Sequence, residues 1–157
     1  QNNKVAIIMG SQSDHSIMKD CEKILKILKV KYQTSIVSAH RTPKRMFDFA
    51  DKAEKNGFGV IVAGAGGSAH LAGMVASLTT LPVIGVPIES KKLKGLDSLL
   101  SVNQMPQGVV VATVAIDGAF NAGILAASII GNFDEKVKSN LEKWRRVQTQ
   151  SIKKKPK

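Results

Sequence analysis

Short apolar runs recur along the chain and are separated by segments in which polar residues predominate. The runs are rich in β-branched residues and nearly continuous, which is typical of strands buried on both faces of a parallel sheet. The predicted strands are residues 5–9, 35–37, 60–63, 83–86 and 109–116.

The segments between most of these runs have helical periodicity. In the first of them, Ile17, Cys21 and Leu28 fall on one stripe, while lysines cover the other side. Pro43 suits the first turn of the second helix, because its missing N–H has no helical partner at that position. The predicted helices are residues 13–29, 43–56, 68–81, 91–101, 119–131 and 134–149.

The alternation of strands and helices predicts the fold class. Parallel strands with right-handed helical crossovers form an α/β domain of three layers around a doubly wound parallel sheet, flavodoxin- or Rossmann-like. Nothing divides residues 1–157, so we expect a single domain. The last helix, 134–149, carries Leu141, Trp144 and Val147 and is predicted to pack on a neighbouring subunit, which favours a homo-oligomer. Residues 150–157 form a basic tail.

Composition excludes several classes of protein. Of 157 residues, 43% are apolar and 22% are charged, which is typical of a globular domain rather than a disordered, collagen-like or disulfide-rich chain. The apolar runs are too short to span a membrane, and the first strand begins too early to leave room for a signal peptide. Cys21 alone cannot form an intrachain disulfide and is predicted to be a buried hydrophobe. These features favour the cytoplasm.

The net charge of +11 raises the hypothesis of a nucleic-acid partner. The last 24 residues, however, hold nine Lys and Arg against three Asp and Glu, so +6 of the charge lies at the C-terminus. One Trp and one Tyr provide little surface for base stacking. We therefore predict no nucleic-acid partner and interpret the tail as solvated, with docking through the tail as the alternative. A basic bias also suits an anionic substrate.

Polar and small residues follow the predicted strands, at the edge of the sheet where ligands bind in this fold class. After the first strand, Gly10 allows a ligand to approach the backbone. Ser11 and Ser13 can donate hydroxyl hydrogen bonds, and Asp14 can accept them from a sugar. The alternative, equally supported, is that Ser13 and Asp14 only cap the following helix.

The loop after the second strand reads Ser-Ala-His-Arg-Thr-Pro. Arg41 offers a charged fork to a phosphate or carboxylate. His40 can give and take protons near neutral pH. A surface His beside a solvated Arg is the alternative. The position of this loop at the ligand edge, together with Ser38, favours a functional site.

The third loop matches the dinucleotide fingerprint through Gly64, Gly66 and Ala69, with Glu89 further along the chain. This fingerprint normally occupies the first crossover of the fold, whereas here it lies in the third. We therefore favour a tight, glycine-rich loop over a small ligand, and a dinucleotide-binding module without enzymatic activity stays as an alternative.

Histidine and cysteine positions do not indicate a metal site. His15, His40 and His70 lack the spacing of metal ligands, and the chain has no cysteine cluster. His70 lies near the start of the third predicted helix. It either lines the pocket or stabilises the helix start.

Four ordered motifs resemble the PurE family, most closely its class I form, the N5-carboxyaminoimidazole ribonucleotide mutases. They are MGSQSD, SAHRTP, AGAGGSAHLAGM and GLDSLLSVNQMPQGVVVATVAI. The resemblance extends from about Val5 to the region of Trp144. It implies an isomerase of IMP biosynthesis that moves a carboxylate from the exocyclic nitrogen to C4 of an aminoimidazole ribonucleotide. It also implies no metal or organic cofactor, and a homo-octamer.

The resemblance assigns roles to the residues singled out above. The essential histidine of the family falls on His40. Ser11 and Arg41 would hold the phosphate and Asp14 the ribose, while the glycine loop would shape the pocket around the moving carboxylate. The residues expected to bind substrate are Gly10, Ser11, Ser13, Asp14, Ser38, Arg41, Gly66, Gly67, Ser68 and His70.

Two features of the sequence bear on the subclass. Class II members, which carboxylate aminoimidazole ribonucleotide with CO2 directly, usually have Lys-Gly after the Ser-Ala-His triplet, so Arg41 and Thr42 favour class I. Ser68 and Ala72 replace an Ala and a Pro that are common in the family. Neither replacement touches the proposed proton chemistry, although loop rigidity can differ. Direct carboxylation stays as the alternative activity.

Overall fold

Parallel strands form the central layer of the fold in the computed structural model, which describes residues 2–155. The strands are β1 Lys4–Met9, β2 Tyr32–Ile36, β3 Phe58–Gly66, β4 Val83–Ile88 and β5 Ala112–Thr113. Their order across the sheet is β2-β1-β3-β4-β5, and every neighbouring pair is parallel. The chain thus reverses its direction of winding after β2, which places a crevice at the ends of β1 and β3.

Helices cover both faces of this sheet. They are α1 His15–Ile27, α2 Pro43–Lys52, α3 Leu71–Ala76, α4 Leu96–Asn103, α5 Ala119–Ile130 and α6 Glu135–Ser151. α1, α5 and α6 contribute to the apolar core on one face, and α2, α3 and α4 to the core on the other. The predicted three-layer, doubly wound parallel sheet is therefore confirmed.

Burial on both faces explains why the central strands consist of continuous apolar runs. In β1, Val5 and Ile7 point into the core with α1 and α5, while Ala6 and Ile8 point into the opposite core. All four are at most 1% exposed. Alternate residues of a strand face opposite sides, so a strand covered on both sides has no position where a polar side chain meets water.

The two edge strands depart from the prediction. β2 begins at Tyr32, earlier than predicted, and each of its residues is half-buried or exposed. The expectation that this strand is buried on both faces is wrong, because an edge strand has a neighbour on one side only. In the fifth segment only Ala112 and Thr113 pair with β4, whereas the apolar run predicted a strand over 109–116. Val110 is 79% exposed.

A proline in β4 accounts for part of this shortening. The carbonyl oxygen of Pro87 accepts a hydrogen bond from the Asp117 N–H at 2.8 Å. The nitrogen of a strand residue points to the same side as its oxygen, so Pro87 turns a nitrogen without hydrogen toward the fifth segment. The ladder between β4 and β5 therefore cannot continue regularly at this point.

Turns replace the ends of three predicted helices. α2 ends at Lys52 rather than at 56, and the chain turns through Gly57 at φ +82°. α3 begins at Leu71, not 68, because the preceding residues form the loop described below. α4 begins at Leu96, not 91, after Lys94 and Gly95 adopt positive φ.

The last helix packs first on its own chain. Leu141 is buried in the core with α1 and α5, and the Trp144 ring lies 6.0 Å from that of Phe120. Val147 is 65% exposed. Packing of this helix on a neighbouring subunit stays a prediction. Of the basic tail, Pro156 and Lys157 lie outside the described residues.

Two further predictions concern the burial of Cys21 and the length of the helices. Cys21 is fully buried as predicted, and burial raises the pKa of its thiol to about 12. Such a thiol stays protonated at neutral pH and is a poor nucleophile. Among residues 2–155, the helices are all too short or too polar to cross a membrane.

Candidate active site

The loops that follow β1, β2, β3 and β4 line one cavity of about 330 Å³ at the carboxyl edge of the sheet. This volume lies at the lower end of the range for small-molecule sites. Ten of the eleven predicted site residues line it; only Ser13 does not. The lining residues are Gly10, Ser11, Asp14, Ser38, Ala39, His40, Arg41, Ala65, Gly66, Gly67, Ser68, His70, Leu71, Ile88, Glu89 and Ser90.

The first loop is closed by hydrogen bonds between its own residues. Asp14 Oδ2 accepts from the backbone N–H of Ser11 at 2.9 Å and from its hydroxyl at 3.1 Å. Ser13 Oγ lies 2.7 Å from Ser11 Oγ and reaches the site only through it. Neither Ser13 nor Asp14 caps α1 with a side-chain hydrogen bond, since a turn of 3-10 helix at Gln12–Asp14 precedes that helix.

The carboxylate of Asp14 is ready to accept further hydrogen bonds. Its Oδ2 accepts both hydrogen bonds from Ser11, and Oδ1 accepts neither of them. Burial raises the pKa of Asp14 above its ordinary value, and the hydrogen bonds from Ser11 and the charge of Arg41 offset part of that rise. Asp14 therefore sits in the cavity wall as an acceptor for ligand hydroxyl groups.

Arg41 joins the second loop to the first. Its Nη2 donates to the Gly10 carbonyl at 2.7 Å, and its Nε donates to Ser38 Oγ at 3.2 Å. These contacts fix the plane of the guanidinium. Nη1 has no hydrogen-bond partner in the described part of the chain, so its two N–H groups and the second one of Nη2 remain for an anion in the cavity.

Thr42 stabilises the turn that contains His40 and Arg41. Its Oγ1 donates to the Ser38 carbonyl at 2.9 Å and accepts from the Ser38 N–H at 3.0 Å. Thr42 precedes Pro43, the first residue of α2, but its side chain makes no capping bond to that helix. The hydroxyl therefore stabilises the loop rather than the helix start.

His40 and His70 meet across the cavity. Nε2 of His40 and Nδ1 of His70 are 2.9 Å apart, and the two rings are nearly perpendicular, with centroids separated by 5.0 Å. One ring nitrogen donates and the other accepts. Of the two roles left open for His70, the structure supports a place in the pocket, because its side chain makes no capping bond to α3.

The third loop approaches the cavity with backbone rather than with charged side chains. Gly67 adopts φ +66°, a conformation that L-residues with side chains rarely adopt. α3 follows only at Leu71 and has six residues. The glycines of the dinucleotide fingerprint thus do not open directly into a long helix, as phosphate binding by that motif requires.

Sequence reasoning gave no site role to α4. Two of its serines, Ser98 and Ser101, accept hydrogen bonds from the glycine loop, and Asp97 accepts one from Ser90 at 2.6 Å. Two signals were present in the sequence: both serines lie in one of the four family motifs, and their spacing of three residues puts them on one helix face. Glu89 also lines the cavity, but the sequence analysis considered it only as part of the dinucleotide-binding hypothesis.

Among the residues that the structure describes, no three His, Cys, Asp or Glu side chains lie close enough together to hold a metal ion. His15 lies outside the cavity and pairs with Glu22, with 3.2 Å between Nε2 and Oε1. The chemistry available at the site is therefore that of one anion-binding guanidinium, hydroxyl and carboxylate acceptors, and two imidazoles.

Known proteins share this sequence over most of its length. The profile of the AIR carboxylase family matches residues 4–151. An N5-carboxyaminoimidazole ribonucleotide mutase of Thermotoga maritima is 58% identical over 147 residues, covering 91% of this chain and 86% of the relative. The enzyme of the same name from Escherichia coli K12 is 50% identical over 151 residues, covering 95% of this chain and 89% of the relative.

A solved structure shares the fold. The crystal structure of PurE from Treponema denticola superposes with a TM-score of 0.87 at 28% sequence identity, covering 95% of this chain and 93% of that one.

A third N5-carboxyaminoimidazole ribonucleotide mutase, from Pyrococcus horikoshii, is 54% identical over 153 residues, covering 98% of this chain and 86% of the relative. This chain belongs to the AIR carboxylase family.

Proposed function

We propose that this protein is an N5-carboxyaminoimidazole ribonucleotide mutase, an isomerase of purine biosynthesis. The observation that carries the proposal is the cavity itself, in which an anion-binding Arg41 and an imidazole, His40, lie at one sheet edge beside a glycine loop. Relatives that are 50–58% identical carry this name. The cavity of about 330 Å³ suits one ribonucleotide better than a dinucleotide.

The substrate binds through the first two loops. The free N–H groups of Arg41 and the hydroxyl of Ser38 hold the phosphate, since a guanidinium fixed by Gly10 and Ser38 presents its fork in one orientation. The Ser11 hydroxyl gives its proton to Asp14 and fixes that carboxylate. Asp14 accepts from the ribose hydroxyls through Oδ1. This leaves the imidazole ring of the substrate between His40 and the glycine loop.

The reaction moves one carboxyl group and balances without an oxidant or a reductant. The carbamate N–C bond breaks, its electron pair stays on the nitrogen, and the nitrogen takes a proton while CO2 is set free in the pocket. C4 of the electron-rich ring then attacks CO2, and the new C–C bond forms as C4 loses its proton. Holding both fragments in contact supplies the catalysis.

His40 carries the proton between the two steps. As an imidazolium it donates to the nitrogen, and as a neutral imidazole it then takes the proton from C4, so it ends in its starting state. His70, 2.9 Å from His40 Nε2, supports this role by holding the ring at the cavity wall.

The test compares two histidine variants. His40→Asn keeps the approximate size of the side chain but cannot transfer a proton, so we expect kcat with the carbamate substrate to fall by about a thousandfold. His15→Asn, which lies outside the cavity, serves as the matched control and should keep wild-type activity. Chromatographic measurement of the C4-carboxylated product checks both. Activity of His40→Asn near that of the wild type would contradict the proposal.

Direct carboxylation of aminoimidazole ribonucleotide is the second candidate, favoured by the description of the family as a carboxylase. The same assay separates the two activities. A mutase forms product from the carbamate at low CO2, whereas a direct carboxylase needs aminoimidazole ribonucleotide and CO2 at substrate concentrations. Product formation only under the second condition would replace the mutase assignment.

We further propose that the protein works as a homo-octamer in the cytoplasm, on the route to IMP. Apolar side chains that remain exposed in the single chain support assembly: Leu93, Leu96, Leu100 and Val110 are each at least 50% exposed. Such a surface is costly in water unless a partner covers it. Analytical ultracentrifugation should give eight times the mass of the chain, and a monomer at micromolar concentration would contradict this proposal.

A further inference from the structure

In the glycine loop, residues 66–69, Ala69 is buried in the core, but the other three residues add little side-chain packing to fix the shape of the loop. It contains two glycines, a serine and an alanine, and Gly67 adopts a positive φ. Glycine backbone is freer than that of any other residue, so neighbouring groups must hold such a loop in a single conformation. The structure places those groups on α4, behind the loop as seen from the cavity.

Ser98 ties the loop to the neighbouring strand. It is fully buried, its hydroxyl accepts from the Gly67 N–H at 2.8 Å, and it donates to the carbonyl of Ile88 at 2.6 Å. A hydroxyl has one proton to donate, so both directions of this contact are determined. Ser98 therefore joins the end of β4 to the loop that follows β3.

Ser101 repeats the contact one helical turn later. Its Oγ accepts from the Ala69 N–H at 3.0 Å and donates to the carbonyl of Asp97 at 2.6 Å. The Ala69 N–H is shared with the Gly67 carbonyl, 2.9 Å away. Ser98 and Ser101 do not line the cavity. The two serines thus hold two loop N–H groups from the side opposite to the substrate.

We propose that Ser98 and Ser101 are positioning residues that keep the glycine loop closed over the moving carboxyl group. This inference rests on the proposed mutase function, in which CO2 stays in the pocket between two bond changes. CO2 carries no charge and binds weakly, so only the fit of the loop retains it. A loop freed from α4 would let CO2 escape and leave aminoimidazole ribonucleotide behind.

The experiment measures how the consumed carbamate divides between C4-carboxylated product and free aminoimidazole ribonucleotide, after subtraction of the enzyme-free decarboxylation. In Ser98→Ala and in Ser101→Ala, we expect the ratio of lost to retained CO2 to rise by about fivefold, the size expected from one hydrogen bond. Ser101→Thr keeps the hydroxyl and should restore the wild-type ratio. Ser128→Ala is the control, because the Ser128 hydroxyl bonds only within α5, to Ile124.

Hydrogen exchange of the assembled, unliganded protein provides a readout independent of activity. The amides of Gly67 and Ala69 should exchange faster in both Ala variants and at the wild-type rate in Ser101→Thr. Unchanged exchange or an unchanged product ratio in both Ala variants would overturn the inference, as would equal leakage from Ser128→Ala. A wild-type protein that makes no product from the carbamate would instead refute the proposed function, and the exchange data would still decide whether α4 holds the loop.

Discussion

One wall of the cavity is made of side chains and the opposite wall of backbone. On the first wall, Asp14 and Arg41 are held by hydrogen bonds to Ser11, Ser38 and the Gly10 carbonyl. On the second, Gly66, Gly67 and Ser68 present backbone and a small side chain to the cavity, and their loop is held from outside by α4. The first wall is fixed within itself, and the second depends on a different element of the fold.

This difference matches the two parts of the proposed substrate. The phosphate and ribose keep their charge and shape throughout the reaction, so fixed polar side chains can bind them equally in every state. The carboxyl group leaves one atom and joins another, so the wall around it must fit closely without binding it tightly. Uniform binding affects KM, whereas interactions specific to the reacting state affect kcat. The two walls should therefore differ in the kinetic parameter that they control.

Among the variants that compare the two walls, Arg41→Ala on the side-chain wall is expected to have the largest effect. Loss of a charge-assisted pair of ~2 kcal/mol should raise KM about thirtyfold. The value of kcat should change far less, because the phosphate takes no part in bond breaking. Steady-state kinetics with the carbamate substrate measures both parameters.

A second arginine provides the matched control for that variant. Arg45, on α2, is exposed, and among residues 2–155 it donates to the carbonyl of Ile36 alone, outside the cavity. Arg45→Ala removes the same charge from the chain and should leave KM unchanged. If Arg45→Ala raised KM as much as Arg41→Ala, net charge rather than the side-chain wall would bind the phosphate.

Gly67→Ala tests the backbone wall and should lower kcat by about tenfold, since a positive φ costs a residue with a side chain ~1–2 kcal/mol and the loop can relieve that strain by moving. KM should change little. Gly57→Ala is the control, because Gly57 has φ +82° with no atom near the added methyl and lies away from the cavity. Both variants should lower Tm, but only Gly67→Ala should lower kcat. The two walls would not differ in the way proposed if kcat fell in both variants, or if Gly67→Ala raised KM without lowering kcat.

Sequence patterns predicted the side-chain wall better than the backbone wall. The carboxyl ends of all strands lie at one edge of a parallel sheet, so the sequence alone predicted that the residues after the first two strands lie close together. The contact between His40 and His70 could not, because it depends on the short α3 and on the turn that precedes it. The serines of α4 lie within one of the four family motifs, but neither the motif nor their spacing gave them a role. Hydrogen bonds to backbone are set by loop shape, which apolar periodicity does not encode.

The edge strands show the same limit in the fold itself. Continuous apolar runs predicted β1, β3 and β4, because those strands are covered on both faces. β2 has a polar, half-exposed sequence, and the apolar run near β5 contains Val110, which is 79% exposed. Under the proposed assembly, an exposed apolar run of this kind in a single chain is an expected interface rather than an expected strand.

Asp14 allows a smaller, pH-dependent test of the side-chain wall. Burial raises the pKa of its carboxyl, so the acceptor for the ribose is lost at a higher pH than an exposed carboxylate would be. KM should therefore rise as pH falls through that raised pKa. Asp14→Asn should raise KM at neutral pH and remove this dependence. A KM that follows pH equally in both proteins would contradict the assignment of the ribose contact to Asp14.

The raised pKa of Asp14 also affects the stability of the unliganded protein. Low pH weakens substrate binding but should favour the folded state. A carboxyl whose folded-state pKa is raised stabilises the fold below its unfolded pKa and loses that contribution as pH rises through the folded value. Asp14→Asn removes this cost of ionisation while keeping an oxygen that can accept from the Ser11 N–H. Its Tm relative to the wild type should thus be higher at pH 7 than at pH 4. If the Tm difference between Asp14→Asn and the wild type were the same at pH 4 and pH 7, the charge of the buried Asp14 carboxylate would not destabilise the fold.

The smallest effect is expected from removing the basic tail. Residues 152–155 are exposed and contact neither wall of the cavity, although the last 24 residues hold +6 of the net charge of +11. If the anionic substrate is bound by the fixed guanidinium of Arg41, deletion of residues 152–157 should leave kcat and KM unchanged at 50 and at 200 mM salt. Distant exposed charges are screened over about 10 Å at ordinary ionic strength, so the tail can add to encounter but not to binding. A loss of affinity on deletion that disappears at high salt would show that the tail shares in substrate capture. Binding of single-stranded DNA, steeply dependent on salt and abolished by the same deletion, would support the nucleic-acid alternative.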